Sequence, residues 1–465
     1  MRIKWLISSL ALVAGCQSTL ATAEDVYLKP MAPGWEARAV LSVGEAAQNG
    51  YRMAGVPDGL GAFDNGDGTL TVLMNHEFPA DKGVVRAHGG KGAFVSRWVV
   101  RLADLKVTQG ADMVRQVQLW DAGAYRPGQA VTFGRFCSAD LAPVSAFLDE
   151  DGSGFSGRLL LNGEEEKDAG GRAFAHVVDG EQAGASYELP HLGRVAWENL
   201  LALPQSGKRT VVIGMDDYPG GHVYVYVGDK RRTGGPAEKA GLVGGKLYAV
   251  RFEEPRFVLL PLGEVAGLDG KALRARAGQL GATRLLRPED GAWDKLDRNL
   301  FWFATTDKID GQSQLFGMTF DNARVPEKGG KFSPALTASD IGGQMFDNIA
   351  ADGAGRILID EDPGNDKFTA GIWLYDPRRP GSATRIFEAD LQRFVRGGDA
   401  RAMTEDEEQS GIVEVTDAVK SAPWFDAARR YYLGVVQVHS PHPDPAQLEY
   451  GQLYLISGPA GILDK

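Results

Sequence analysis

Six times along the chain an apolar run meets acidic, amide or histidine side chains without an intervening linker. Thr69 to Met74 leads into Asn75-His76-Glu77, Arg158 to Leu161 into Asn162-Gly163-Glu164-Glu165, and Thr210 to Met215 into Asp216-Asp217. Leu300 to Ala304 leads into Thr305-Thr306-Asp307, Arg356 to Ile359 into Asp360-Glu361-Asp362, and Tyr431 to Val436 into Gln437-Val438-His439. Carboxylates gathered at one mouth repel each other, so their company is tolerable only if cations neutralise them or some stay protonated. Oxygen donors such as Glu164, Glu165, Asp216, Asp217, Asp360 and Asp362 suit a hard cation, calcium above all. Turn chemistry accounts for some of these clusters, but ordinary turns favour Gly, Asn and Pro over paired carboxylates.

The elements that must position these groups are strands. Sixty Gly and 23 Pro punctuate short apolar runs, which excludes a helical class. A second run often follows each unit: Ala93 to Val100, His222 to Val227, Gln314 to Thr319, Gly371 to Tyr375 and Gly451 to Ile456. Six such units predict an all-β, six-bladed β-propeller over 24–465 as a single domain, each blade's inner strand delivering its end residues to one central opening. The stretches Asp229 to Gly245 and Pro261 to Leu286 read as long insertions. Neighbours such as Glu164 and Glu165 cannot both point inward on a regular strand, so one of them is structural. Asp64-Asn65-Gly66-Asp67-Gly68 and Asp149 to Gly154 echo calcium loops but read as tight turns, the second having Leu160 where a bidentate Glu belongs.

In this frame an ordered series of phrases resembles the PhoX-type alkaline phosphatases: Asn75-His76-Glu77, Gly163-Glu164-Glu165, Arg287-Pro288-Glu289, Asp347-Asn348-Ile349 with Asp352 and Gly355, Glu414-Val415-Thr416 and Gln437-Val438-His439. Pro57-Asp58-Gly59-Leu60-Gly61 and Arg135-Phe136-Cys137-Ser138-Ala139-Asp140 are similar to phrases of a distinct bacterial branch. The resemblance implies a six-bladed propeller whose central site holds iron and calcium and hydrolyses small phosphate monoesters. Carried over by position, it implies Glu77, Glu164, Glu165, Glu289 and Glu414 as metal ligands, with Asp347 and Asn348 beside them, and Arg287 on the substrate phosphate. His439 or His76 is then the group that protonates the leaving oxygen, although a structural role is the simpler reading of either ring.

One departure bears on the metal. Gly163 stands where the family has a cysteine whose thiolate binds iron, so calcium is the expected ion and an iron centre of the family type lacks its sulfur ligand. Cys137 is the remaining cysteine outside the leader; it either substitutes or is a small buried hydrophobe, and the second reading is preferred.

Arg2 and Lys4 before an apolar run from Trp5 to Gly15 read as a signal peptide over 1–23. Val13-Ala14-Gly15-Cys16 forms a lipobox and Ala21-Thr22-Ala23 an ordinary cleavage site; the lipobox is favoured, and a lipid on Cys16 is then the membrane attachment. The expected location is the bacterial periplasm, the cell envelope or the cell exterior, with the outer membrane as the place if the lipobox is the site used. A net charge of −11 argues against nucleic acid as a partner. No HExxH, nucleophile elbow or Walker loop supports another hydrolase chemistry. Two other readings stand beside the phosphatase: a calcium-dependent lactonase-type propeller, and a non-catalytic binding propeller with structural calcium.

Overall fold

The computed structural model describes residues 26–461 apart from 168, 367, 380 and 395–402, so the predicted leader and Cys16 lie outside the described residues. Short strands dominate because the apolar runs are bounded by turn residues, and they assemble into six blades around an axis. The first blade is Pro57–Asp64, Thr69–His76, Phe94–Arg101 and Val107–Asp112 in sequential order from the axis outward. The third begins with Trp197–Ala202, the fourth with Pro288–Trp293, the fifth with Phe346–Ala351 and the sixth with Glu407–Glu414. The second blade has no regular inner strand; the segment 135–140 takes its place, bridged to the next strand at Phe136 with Glu164 and at Asp140 with Leu161.

Both chain ends complete late blades. Leu28–Pro30 pairs antiparallel with Thr384–Ala389 in the fifth blade, and Glu36–Ser42 pairs with Glu449–Pro459 in the sixth. The third and fourth blades are joined along their outer edges, where Arg256–Pro261 meets Gly330–Thr337. Apolar side chains fill the spaces between blades, with Trp98, Trp197, Tyr224 and Phe147 fully buried.

The six predicted units do fall one to a blade, but each is the second strand from the axis and not the inner one, for the inner strand lies just before it in sequence. The insertions are not plain loops: they carry helices Pro236–Lys239 and Gly270–Gln279, the latter capped by the Asp269 carboxylate, which accepts the Ala272 amide at 2.7 Å. The Asp64 to Gly68 stretch is a hairpin turn, with Asp64 accepting the Gly66 amide. Among the described residues no helix is long and apolar enough to cross a membrane.

Candidate metal centre

One register recurs in every blade. The first paired residues of the inner and second strands are Pro57 with His76, Phe136 with Glu164, Trp197 with Asp216, Pro288 with Thr305, Phe346 with Glu361, and Glu407 with Val438. The residue after each inner partner is Asp58, Cys137, Glu198, Glu289, Asp347 or Glu408, so six blades contribute five carboxylates and one thiol at equivalent positions. The residue after each outer partner is Glu77, Glu165, Asp217, Thr306, Asp362 or His439. The pairing register shifts just past this point in four blades, between Pro57 and Leu60, Trp197 and Leu200, Pro288 and Gly291, and Phe346 and Ile349. Such irregularities break the alternation of a strand and re-aim its side chains, which is how consecutive polar residues come to serve one opening.

Three groups of donors result, each with ligand atoms within 4.8 Å of one another: Asp58 with Glu77 and Cys137, Glu198 with Glu289 and Asp347, and Asp347 with Asp362 and Glu408. Asp347 belongs to two of them. In the first group the Cys137 thiol donates to Glu77 Oε1 at 3.0 Å and to Glu165 Oε2 at 3.2 Å, and Gln437 Nε2 donates to Asp58 and Glu77 at 3.2 Å. In the second, Ser138 Oγ donates to Glu198 at 2.6 Å and accepts from Asn348 Nδ2 at 2.6 Å. Asp58 Oδ1 and Gln437 Oε1 are buried without a hydrogen-bond partner among the described residues, and Glu289 Oε1 has the Arg287 guanidinium at 3.4 Å without a hydrogen bond. Buried acceptors without donors are costly, and a cation between them removes that cost, so the donors present fit bound metal.

Electrostatics support the same fit. Burial, then repulsion from neighbouring carboxylates, pushes Asp58, Glu198, Glu289 and Asp347 well above the ordinary carboxylate range. Burial and then Glu408 raise Asp362 to about 7, and burial raises Glu165 to about 8 against the pull of Arg135. Burial also drives the Cys137 thiol up, helped by Glu198 and Glu77. Burial works against Glu77 too, but Arg135 and the donors Cys137 and Gln437 outweigh it and hold that carboxyl below its usual value.

Basic side chains flank these groups. Arg135 pairs with Glu77 and, at 2.7 Å, with Glu165, and its side chain is 47% exposed. Arg287 forms a two-pronged pair with Asp217 at 2.7 and 2.8 Å and lies 3.4 Å from Glu289. His439 sits between Glu449 at 2.8 Å and Glu408 at 3.4 Å; burial opposes its charge, but these two carboxylates raise it to about 11.

Other expected site residues lie elsewhere. Glu164 points away from the three groups and is held by Arg172 and the Gly134 amide, the second of an adjacent pair taking the opposite face. Glu414 is seven residues along its strand from Glu407, bound to Lys295 at 2.6 Å and Arg430 at 3.2 Å. His76 is stacked on Phe94 and bonded to the Gly55 carbonyl and Ser96, and burial lowers it to about 3, so its ring is a neutral packing element with no face for substrate. Asn348 does not enter a donor group; it braces Ser138. Asp216 is taken by Arg274 from the inserted helix, and Asp360 is wholly buried.

Cys137, set aside in favour of a packing role, lies in the first group. Gly163 leaves no room for a cysteine in this backbone: a Cβ there would lie 2.3 Å from that of Trp197. Asp58 and Glu198 are single acids between unlike neighbours and Glu408 ends the acidic run Glu405-Asp406-Glu407-Glu408, so their place at the opening is visible only once the inner strands are aligned by register.

No curated protein sequence matches the chain. Among solved structures, Pseudomonas fluorescens PhoX in complex with vanadate, a transition state analogue, superposes with a TM-score of 0.58 over 94% of this chain and 98% of that one, at 15% identity. Trypanosoma rangeli sialidase in complex with sialic acid gives a TM-score of 0.34 over 91% of this chain and 59% of that one, at 11% identity. The family described as Alkaline phosphatase PhoX matches residues 178–424, more than half of the sequence. The chain therefore belongs to the PhoX alkaline phosphatase family and is a phosphatase-type hydrolase.

Proposed function

We propose that the protein is an exported, metal-dependent phosphatase of the bacterial envelope that acts on small phosphate esters, with residues 24–465 forming its one propeller domain. The observation that carries this reading is the set of three buried or half-buried donor groups built from equivalent positions of successive blades. The two all-oxygen groups, Glu198 with Glu289 and Asp347, and Asp347 with Asp362 and Glu408, suit calcium. The group of Asp58, Glu77 and Cys137 includes sulfur, which favours a transition metal such as iron over calcium. Bound ions would polarise phosphoryl oxygens and lower the pKa of water.

The chain's own residues do the rest. Arg287 and Arg135 present planar guanidinium forks beside the donor groups, a shape matched to phosphate oxygens, and their partial exposure leaves N–H groups free to meet substrate. His439, protonated through the neutral range, holds a positive charge beside Glu408 and can donate a proton to a departing oxygen. Ser138 and Asn348 keep the Glu198 carboxylate in place before substrate arrives.

The test is release of phosphate from an aryl phosphate by the purified protein, with metal content measured in the same sample. Activity lost on chelation and in Glu289→Gln supports the proposal. Bound metal with no hydrolysis of any phosphate ester points to the binding propeller, and cleavage of lactones in its place to the lactonase reading.

A further inference from the structure

The donor ring occupies one end of the central channel. The inner strands continue past it, and toward their other ends they surround a cavity of about 620 Å3. Leu60, Leu141, Leu201, Trp293, Ile349 and Ile412 make its walls apolar. Asp140 and Asp290 also line it, with Asn199 beside them. Asp290 is satisfied: it accepts from Asn199 and the Gly291 amide at 2.6 Å and from the Ile349 amide at 3.2 Å. Asp140 has one oxygen on the Ala202 amide at 2.8 Å and no Lys or Arg acting on it, and burial raises its carboxyl to about 7, so a bound ammonium would hold ionised a group that is only partly charged at neutrality.

We propose that this cavity is a second ligand site, which takes a small organic cation: an ammonium that meets Asp140, carried on an apolar body that the walls enclose. The size falls within the range of about 300–1,000 Å3 typical of small-molecule sites. Charge selects the ligand. Glu414 and Lys295 neutralise each other in the lining, which leaves Asp140, Asp290 and Asp294 against Arg298. An anion such as a phosphate ester therefore meets a repulsive cavity, whereas an apolar amine gains both burial and a charge partner. Ser138, Asn348 and Ser410 form a bonded chain, and Ser138 also holds Glu198 of the donor ring.

The probe is dansylcadaverine, a primary ammonium on a fluorescent apolar ring, titrated into the full chain with calcium present. Saturable one-site enhancement is expected, weakened at least about tenfold in Asp140→Asn, which keeps the side-chain shape but removes its charge. Ala292→Phe, which fills the cavity from its wall, should weaken binding as much and serves if the first variant does not fold. Glu289→Gln in the ring should leave the probe's affinity unchanged. Equal affinity in both cavity variants, equally tight binding of an uncharged dansyl amide, or loss of binding in Glu289→Gln would overturn the site.

Discussion

Loading the donor ring with calcium should expel protons, and the number is set by the burial of its carboxyls. Glu198, Glu289 and Asp347 share one group and are each pushed well above the ordinary carboxylate range, by burial first and then by neighbouring carboxylates, so a cation entering the group competes with protons. Each proton that the cation displaces makes its apparent affinity rise about tenfold per pH unit, or about 1.4 kcal/mol. The sign follows from the direction of the shifts. With folded values raised above unfolded ones, the metal-free protein binds more protons than the unfolded chain, and these groups stabilise it less as pH rises through the folded values. Calcium replaces those protons, so its stabilising effect grows as pH rises; in the adjoining group that shares Asp347, Asp362 at about 7 puts its own part of that growth near neutrality. Titration calorimetry in two buffers of different ionisation heat counts the protons directly, and thermal melts with calcium or chelator at about pH 6 and about pH 8 give the same linkage. Fewer than one proton released, together with an equal calcium shift at both pH values, would refute the assignment of these three carboxyls to a common cation.

Glu289→Gln should reduce phosphate release by at least about 100-fold with the fold intact by circular dichroism, since it removes one charge from the second donor group. Cys137→Ser should lower the transition-metal content of the purified protein and leave calcium content unchanged, read by elemental analysis. Gly163→Cys, which restores the family's residue, should destabilise by about 1–3 kcal/mol in a denaturant melt, because the added Cβ runs into Trp197. Arg274→Ala should cost about 3–5 kcal/mol by leaving the buried Asp216 unpaired, again by denaturant melt.

The fold was legible because a propeller repeats itself: one buried run ending in polar residues appears in every blade, and the count of such runs is the count of blades. Their rank within the blade was not legible. Tyr431 to Val436 is more apolar and more regular than Glu407-Glu408-Gln409-Ser410, so hydrophobic pattern draws attention to second strands while the inner strands, interrupted by irregular pairing and lined with polar groups, look like loops. Glu289 and Asp347 were found through family phrases, Glu198 and Glu408 were not, and the four occupy the same place in their blades. Glu414 misled for the converse reason, since a strand-borne acid in a familiar phrase carries no sign of which end of its strand faces the ions. Arg274 shows a further limit: the partner that neutralises Asp216 comes from an inserted helix 58 residues away, and nothing local to either residue announces the pairing.

The sixth sheet is stitched from both termini, Glu36–Ser42 lying against Glu449–Pro459. During synthesis the earliest of these residues must wait, without a partner, until almost the entire polypeptide has emerged. The second and third donor groups share Asp347, and the third needs Glu408 from that last sheet, so it cannot exist in any shorter nascent chain. Ion uptake at that position is thereby deferred to the moment of circular closure, and a protein truncated at either extremity would forfeit it while keeping most of its architecture.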